Sequence, residues 1–331
     1  MSATSLTRRR AVELIGAAIS ASLSPTAAGA DAKMVEEPWS HGGLAGTLTL
    51  PKSAPRGPAV LIIAGSGPTD RDGNGPLIST DTYRLLAAGL AAHGIRSLRY
   101  DKRGIGGSAG LVTHEEEMRF NDLVGDAVVA GRSLCGRDDV SSLVLAGHSE
   151  GGLIAMRAAR QLNVAGLVLL AAPGRPLADI LRTQFRTAPM PEALRAEALR
   201  ITDALAAGER VTDIPGELAP VFRPPVQPYL ASVLPIDPRS ELAQLSTPVL
   251  LLYAARDLQI PLKIAIDSPG RDPMRASSPF RPPIMCSSAL RLTAKATSRP
   301  TATDRFRSIP ACCRRSSCSS ARCVPGRIYS A

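Results

Sequence analysis

The chain has 331 residues, 44% of them hydrophobic, enough for one large domain or two small ones with a sizeable core. Beyond the N-terminal stretch no run reaches the ~18 apolar residues a membrane span needs, which excludes a transmembrane design for the mature protein. The formal charge of +10 suggests an anionic partner, but residues 263–331 hold 13 Lys and Arg against 3 Asp and Glu, the whole of the excess, while residues 1–262 are neutral.

Taken in chain order, Thr7-Arg-Arg-Arg10 precedes a weakly apolar stretch over 11–23 and small residues ending Ala28-Gly-Ala30. That order of basic start, apolar stretch and A-x-A site predicts an export signal over 1–30, similar to the twin-arginine type, and a periplasmic or secreted protein. Glu13 inside the apolar stretch is atypical of such signals. Residues 39–50 predict a β-hairpin stopped by Pro51. Residues 59–64 form a continuous apolar run, as a strand does when helices cover both faces of a parallel sheet, and it ends in Gly65-Ser-Gly-Pro68. Helical periodicity follows over 80–93, with Thr80 as its cap. A strand over 97–100 leads into Asp101-Lys-Arg-Gly-Ile-Gly-Gly-Ser108, and residues 120–134 predict a second helix. Next come an apolar strand from Leu143, a helix over 153–162 and a strand over 166–171. Strands separated by single helices predict an α/β fold with a doubly wound, mostly parallel sheet. Residues 174–245 predict a helical insert over the C-terminal edge of that sheet, with one alanine-rich helix over 182–207. A strand over 247–253 resumes the domain, which spans 33–262, and ends in Ala254-Ala-Arg-Asp257.

Between the strand from Leu143 and the helix from Leu153 stands Gly147-His148-Ser149-Glu150-Gly151. Strand, G-x-S-x-G, helix is the context of a nucleophile elbow, where a sharp reversal exposes the serine and glycines supply the room. Ser149 is therefore the candidate nucleophile, with Gly147 and Gly151 as elbow glycines. A serine hydroxyl is a weak nucleophile and needs a base, and the oxyanion that develops on the substrate needs backbone N–H donors. The N–H groups of Glu150, just after the nucleophile, and of Ser66, in the loop after Ala64, are the candidate donors.

Taken together these motifs resemble the α/β-hydrolase superfamily, nearest its esterase and serine-aminopeptidase-like branch. The resemblance covers about residues 39–260. It rests on the loop Ala64-Gly-Ser-Gly-Pro-Thr-Asp-Arg-Asp-Gly-Asn74, the Asp-x-Arg-Gly-x-Gly-x-Ser run from Asp101, the elbow, and an Asp after the late strand. It implies a cofactor-free serine hydrolase that cleaves small acyl esters, or less readily amides or thioesters, through an acyl-enzyme. It also implies Asp257 as the acid that orients the base, with Asp237 an alternative, and Asp101 and Arg103 as braces for their loop. The run Asp70-x-Asp72-Gly73-Asn74 hints at a calcium loop, but the later ligands are missing, so a turn and no metal is expected.

In this fold the chain order is serine, acid, histidine, yet His41, His93, His114 and His148 all precede Ser149. His114 could stand in only through an unusual rearrangement. From about Lys263 the sequence turns to Ser, Arg, Pro and Cys without periodicity; Cys286, Cys312, Cys313, Cys318 and Cys323 lie there, and only Cys135 lies before it. Such text is what a coding sequence read out of frame gives. Ile284-Met285-Cys286 must be encoded ATH-ATG-TGY, and with ATC as the isoleucine codon a shift to its third base reads CAT-GTG, His-Val. The expectation is a frameshift near Leu262 that replaced the last strand, the histidine and the closing helix, leaving an impaired hydrolase or an inactive pseudoenzyme with a disordered basic tail. The rival is a real tail binding nucleic acid or acidic membrane, disfavoured because Phe306 and Tyr329 are too few for a stacking platform. The tail cysteines lack the Cys-x-x-Cys pair of a metal site.

Overall fold

The computed structural model describes residues 34–253, apart from residues 54 and 77. A seven-stranded sheet of order β1-β2-β4-β3-β5-β6-β7 runs through it. Strands β1 (Met34–His41) and β2 (Leu44–Pro51) form the antiparallel hairpin, closed by Gly42 and Gly43 at φ 59° and 81°. Two successive positive φ values are what a two-residue hairpin turn matching the strand twist requires. The hairpin begins five residues before the sequence pattern shows it. Most of β1 is exposed, as an outer strand can be, so its side chains carry no buried alternation to read.

Strands β3 (Gly57–Ile63), β4 (Arg96–Tyr100), β5 (Val140–His148), β6 (Gly166–Leu170) and β7 (Val249–Leu252) are mutually parallel, and β2 joins β4 antiparallel. Helices α1 (Thr82–Ala92), α2 (Phe120–Cys135) and α3 (Glu150–Ala159) connect them. The apolar strands are continuous because alternate residues enter different cores. Val60, Ile62, Val144, Ala146 and Val168 pack with Tyr83, Leu86 and Leu90 of α1. Leu61, Ile63, Leu143, Leu145 and Leu169 pack with Phe120, Leu123 and Ala127 of α2 and Leu153, Ile154 and Met156 of α3. Burying these side chains on both faces is the main stabilising term, at roughly 1.5–3 kcal/mol for each fully buried large aliphatic residue.

Two local expectations are corrected. Thr80 is not the cap of α1: the N-cap is Asp81 at φ 50°, fixed because the Asn74 carboxamide oxygen accepts both the Thr80 and Asp81 N–H groups. The single helix over 182–207 is two, α4 (Leu177–Thr187) and α5 (Glu192–Ala206). Pro189 and Pro191 lack an N–H and disfavour helical backbone in the residues before them, and Ala188 is extended at ψ 141°. The elbow helix also starts three residues earlier than expected, directly at Glu150.

The insert continues through α6 (Ala219–Phe222), α7 (Gln227–Val233) and α8 (Pro238–Ala243). It has a core of its own around Ala198, Ile201, Leu205, Phe222 and Leu234. Buried Gln227 stitches it, accepting from the Val211 N–H and donating to the Val211 and Phe222 carbonyls.

The strand order places the site. The chain leaves β3 for β4 on one side, and β5 then lies on the other side of β3. A crevice opens at the C-terminal ends of strands where the order reverses in this way, here between the ends of β3 and β5. The export signal, Asp257 and the basic tail fall outside the described residues. Among the described residues no helix is long and apolar enough to cross a membrane.

Candidate active site

Ser149 joins β5 to α3 with φ 51° and ψ −124°, a backbone conformation costly for any residue with a Cβ. The tightness of the turn explains its glycines. A Cβ on Gly147 would lie 2.3 Å from the Gly151 carbonyl oxygen, and one on Gly151 would lie 2.3 Å from the Ile63 carbonyl oxygen. Gly152, which sequence reading passed over, is under the same constraint: its Cβ would lie 2.5 Å from the Cβ of Ala172. The Ser149 N–H donates to the Leu170 carbonyl at 2.8 Å, tying the elbow to the end of β6. Glu150 is the first residue of α3, so its N–H is among those without an intrahelical acceptor.

The other wall is the loop after β3. Ile63 pairs with Gly147, which brings residues 64–66 beside the elbow. A Cβ on Gly65 would meet the Ser149 Cβ at 3.1 Å, so this loop backbone touches the serine. Ser66 follows at the exposed rim. Two side chains that sequence reading did not single out hold the loop. The Tyr83 hydroxyl accepts the Gly65 N–H at 3.1 Å and is hydrogen-bonded to His148 Nδ1 at 2.9 Å. The Lys102 ammonium donates to the Gly65 carbonyl and, at 2.6 Å, to the Gly67 carbonyl.

Asp101 and Arg103 brace their surroundings, as expected. Asp101 accepts from the Arg71 backbone N–H, both arms of the Arg71 guanidinium and the Gly107 N–H. Burial pushes its carboxyl up, but these bonds outweigh it and leave the pKa below the usual value. Arg103 makes a two-pronged ion pair with Asp126 of α2. The turn expected over 70–74 is present: Asp70 Oδ1 accepts the Asp72 and Asn74 N–H groups, and Asp72 pairs with buried Arg99.

Beneath the elbow the Glu150 side chain is buried, which pushes its pKa up against the opposing effects of a Tyr229 hydrogen bond and the Lys102 charge. Tyr229 belongs to α7, so the insert contributes to the surroundings of Glu150. Lys102 is held below the usual lysine range by burial, with Glu150 opposing.

A protein-family model described as serine aminopeptidase, S33, matches residues 75–211, a span that includes the elbow. Esterase EstD of Thermotoga maritima is 32% identical over 221 residues, which are 66% of this chain and 51% of that protein. The chain is thus similar to the serine aminopeptidase, S33, family over residues 75–211 and to this esterase over 66% of its own length. The chain spans about half the length of this esterase relative. Among solved structures, the α/β hydrolase GrgF from Penicillium sp. sh18 is 19% identical, with 71% of this chain and 84% of that one covered at a TM-score of 0.47. Est1E from Butyrivibrio proteoclasticus, with ferulic acid bound, is 19% identical, with 70% and 83% covered at a TM-score of 0.46.

The four histidines of the described residues are spread apart. His93 caps the far end of α1 and bonds the Gly89 carbonyl through Nδ1. His41 closes β1 beside Trp39, and exposed His114 precedes a short turn of helix at Glu115–Glu117. His148 is adjacent to Ser149 in sequence, with its Nδ1 on Tyr83. Asp237, the alternative acid, is engaged as the N-cap of α8 and paired with the Arg239 guanidinium. Asp257 lies outside the described residues.

Proposed function

We propose that the chain is built as a serine hydrolase of carboxylic esters, with Ser149 attacking the acyl carbonyl to give an acyl-enzyme and an alcohol. The observation that carries this reading is the strained Ser149 at the β5–α3 junction, packed against Gly65 of the neighbouring loop. The Glu150 N–H, at the start of a helix, and the Ser66 N–H are the donors assigned to the tetrahedral oxyanion, and Asp257 is the acid. The helix N-terminus adds a favourable field for that negative charge.

In this copy we read the site as impaired. A base following the acid is missing from the sequence, and residues 263–331 carry all of the net charge and five of the six cysteines. A reading-frame change near Leu262 accounts for both, and for the His-Val that the shifted frame restores. Losing the histidine of such a triad lowers kcat by about a millionfold and leaves ~10³-fold over water from binding and the oxyanion donors. Residues 1–30 are read as an export signal, which N-terminal sequencing of the exported fraction would check.

The test is a pair of proteins, the chain as written and one with the frame restored from codon 262, each mixed with nitrophenyl acetate. The restored chain is expected to release a stoichiometric burst of nitrophenol and carry the acetyl group on Ser149. The chain as written should show a burst slower by several orders of magnitude, and none after Ser149→Ala. A restored chain acylated elsewhere, or a gene whose reads show no alternative frame, would overturn the respective half of the reading.

A further inference from the structure

We propose that Lys102 is a positioning residue that sets the direction of the Ser66 N–H, and so builds half of the oxyanion site; this rests on the hydrolase reading of Ser149. The geometry is that of one peptide plane. The Gly65 carbonyl and the Ser66 N–H belong to the same peptide, and no peptide bond among the described residues is cis. In a planar trans peptide the two groups point in opposite directions. Lys102 Nζ holds the Gly65 oxygen on one side, so the Ser66 N–H is turned to the other.

Three further observations make the clamp specific. Lys102 also takes the Gly67 carbonyl at 2.6 Å, so it grips the loop on both sides of Ser66. The N–H of Gly65, in the preceding peptide, is separately fixed by Tyr83, which anchors the chain where the Gly65–Ser66 peptide begins. Lys102 is only 7% exposed and is close enough to Glu150, the residue that follows Ser149, for the carboxylate's charge to act on it. A buried cation that makes no ion pair within 4 Å among the described residues, placed on two loop carbonyls beside the serine, polarises the same amide that it orients. Asp101, one residue earlier, is anchored to Arg71 and Gly107, which keeps the lysine stem in place.

The experiment compares Lys102, Lys102→Met and Lys102→Arg by two readouts, exchange in the chain as written and phosphonylation in the chain with its frame restored from codon 262. Hydrogen exchange of the peptide covering residues 62–70 reports the clamp, and phosphonylation of Ser149 by a fluorophosphonate, resolved into a saturating rate and a half-saturation concentration, reports the oxyanion site. Lys102→Met is expected to raise exchange at this loop at least about tenfold. It should lower the saturating rate by about 100-fold, as when one oxyanion donor is lost, with half-saturation moved less than about twofold. Lys102→Arg should recover most of both. Loop exchange and phosphonylation at wild-type levels in Lys102→Met overturn the assignment, as does a loosened loop with an unchanged phosphonylation rate. Should Lys102→Met not fold, Lys102→Gln, which keeps an N–H for the carbonyls, takes its place with an intermediate effect expected. If the frame-restored chain with Lys102 is not labelled at Ser149, the hydrolase reading fails, and unchanged exchange in Lys102→Met, read on the chain as written, separately removes the clamp.

Discussion

Replacing Ser149 by glycine removes the proposed nucleophile and, by the geometry of the elbow, makes the protein more stable. Ser149 sits at φ 51° and ψ −124°, where a residue with a Cβ is strained by about 1–3 kcal/mol. Glycine relieves that strain but is freer in the unfolded chain, which offsets about 0.5–1 kcal/mol. The net expectation is a gain of about 1 kcal/mol over wild type. Ser149→Ala is the informative control, because it also lacks the hydroxyl yet keeps the Cβ and therefore the strain. Urea unfolding should move the midpoint of Ser149→Gly upward at unchanged slope, the sign of a stability change and not of an altered unfolded state. For a domain of this size the same change raises Tm by about 2–4 °C. A Ser149→Gly midpoint at or below that of Ser149→Ala would refute the strained elbow, and with it the reason for placing the nucleophile there.

Gly147→Ala drives a methyl group to 2.3 Å from a backbone oxygen that cannot step aside, and should destabilise by at least about 3 kcal/mol; a wild-type melting temperature would contradict the packing of the turn. Asp101→Asn sets an amide N–H against the donors of Arg71 or Gly107 at a site only 2% exposed, and should cost about 3 kcal/mol at pH 7, read by urea titration. The folded Asp101 pKa is depressed below its ordinary 3.8, so its stabilisation is complete above that value and lost as pH falls through the lower folded pKa. Wild-type stability should therefore decline below about pH 4, and a decline equally steep in Asp101→Asn would show that another group titrates. Gln227→Leu leaves the Val211 N–H and two carbonyls of the insert unpaired, at a cost of about 2–4 kcal/mol. Hydrogen exchange should rise over residues 208–223 while β3 and β5 keep their protection; uniform loss across the sheet would mean that insert and sheet unfold as one unit.

The sequence by itself determined the features that short-range chemistry dictates. Glycines two positions either side of Ser149, an apolar strand before it and helical periodicity after it place an elbow, because the turn is made by adjacent residues and the steric demand falls on them. The two-sided parallel sheet was equally legible, since each strand's continuous apolar run follows from being covered on both faces. Where one helix was read over 182–207, the prolines at 189 and 191 were visible, but alanine-rich periodicity on both sides outweighed them. What only the tertiary structure decided is what the loops do to one another. Lys102 reaches carbonyls 37 and 35 residues earlier, Tyr83 takes an N–H 18 residues earlier, and Gly152 is needed only because Ala172 lies against it. These are side-chain bonds and contacts to backbone on a different strand's loop, so they leave no period or spacing in the chain. They exist because β3 is flanked by β4 and β5, an order set by packing the two cores and not by any local pattern. Ser149 could be singled out from its neighbours in sequence; the groups that hold the loop beside it come from its neighbours in space.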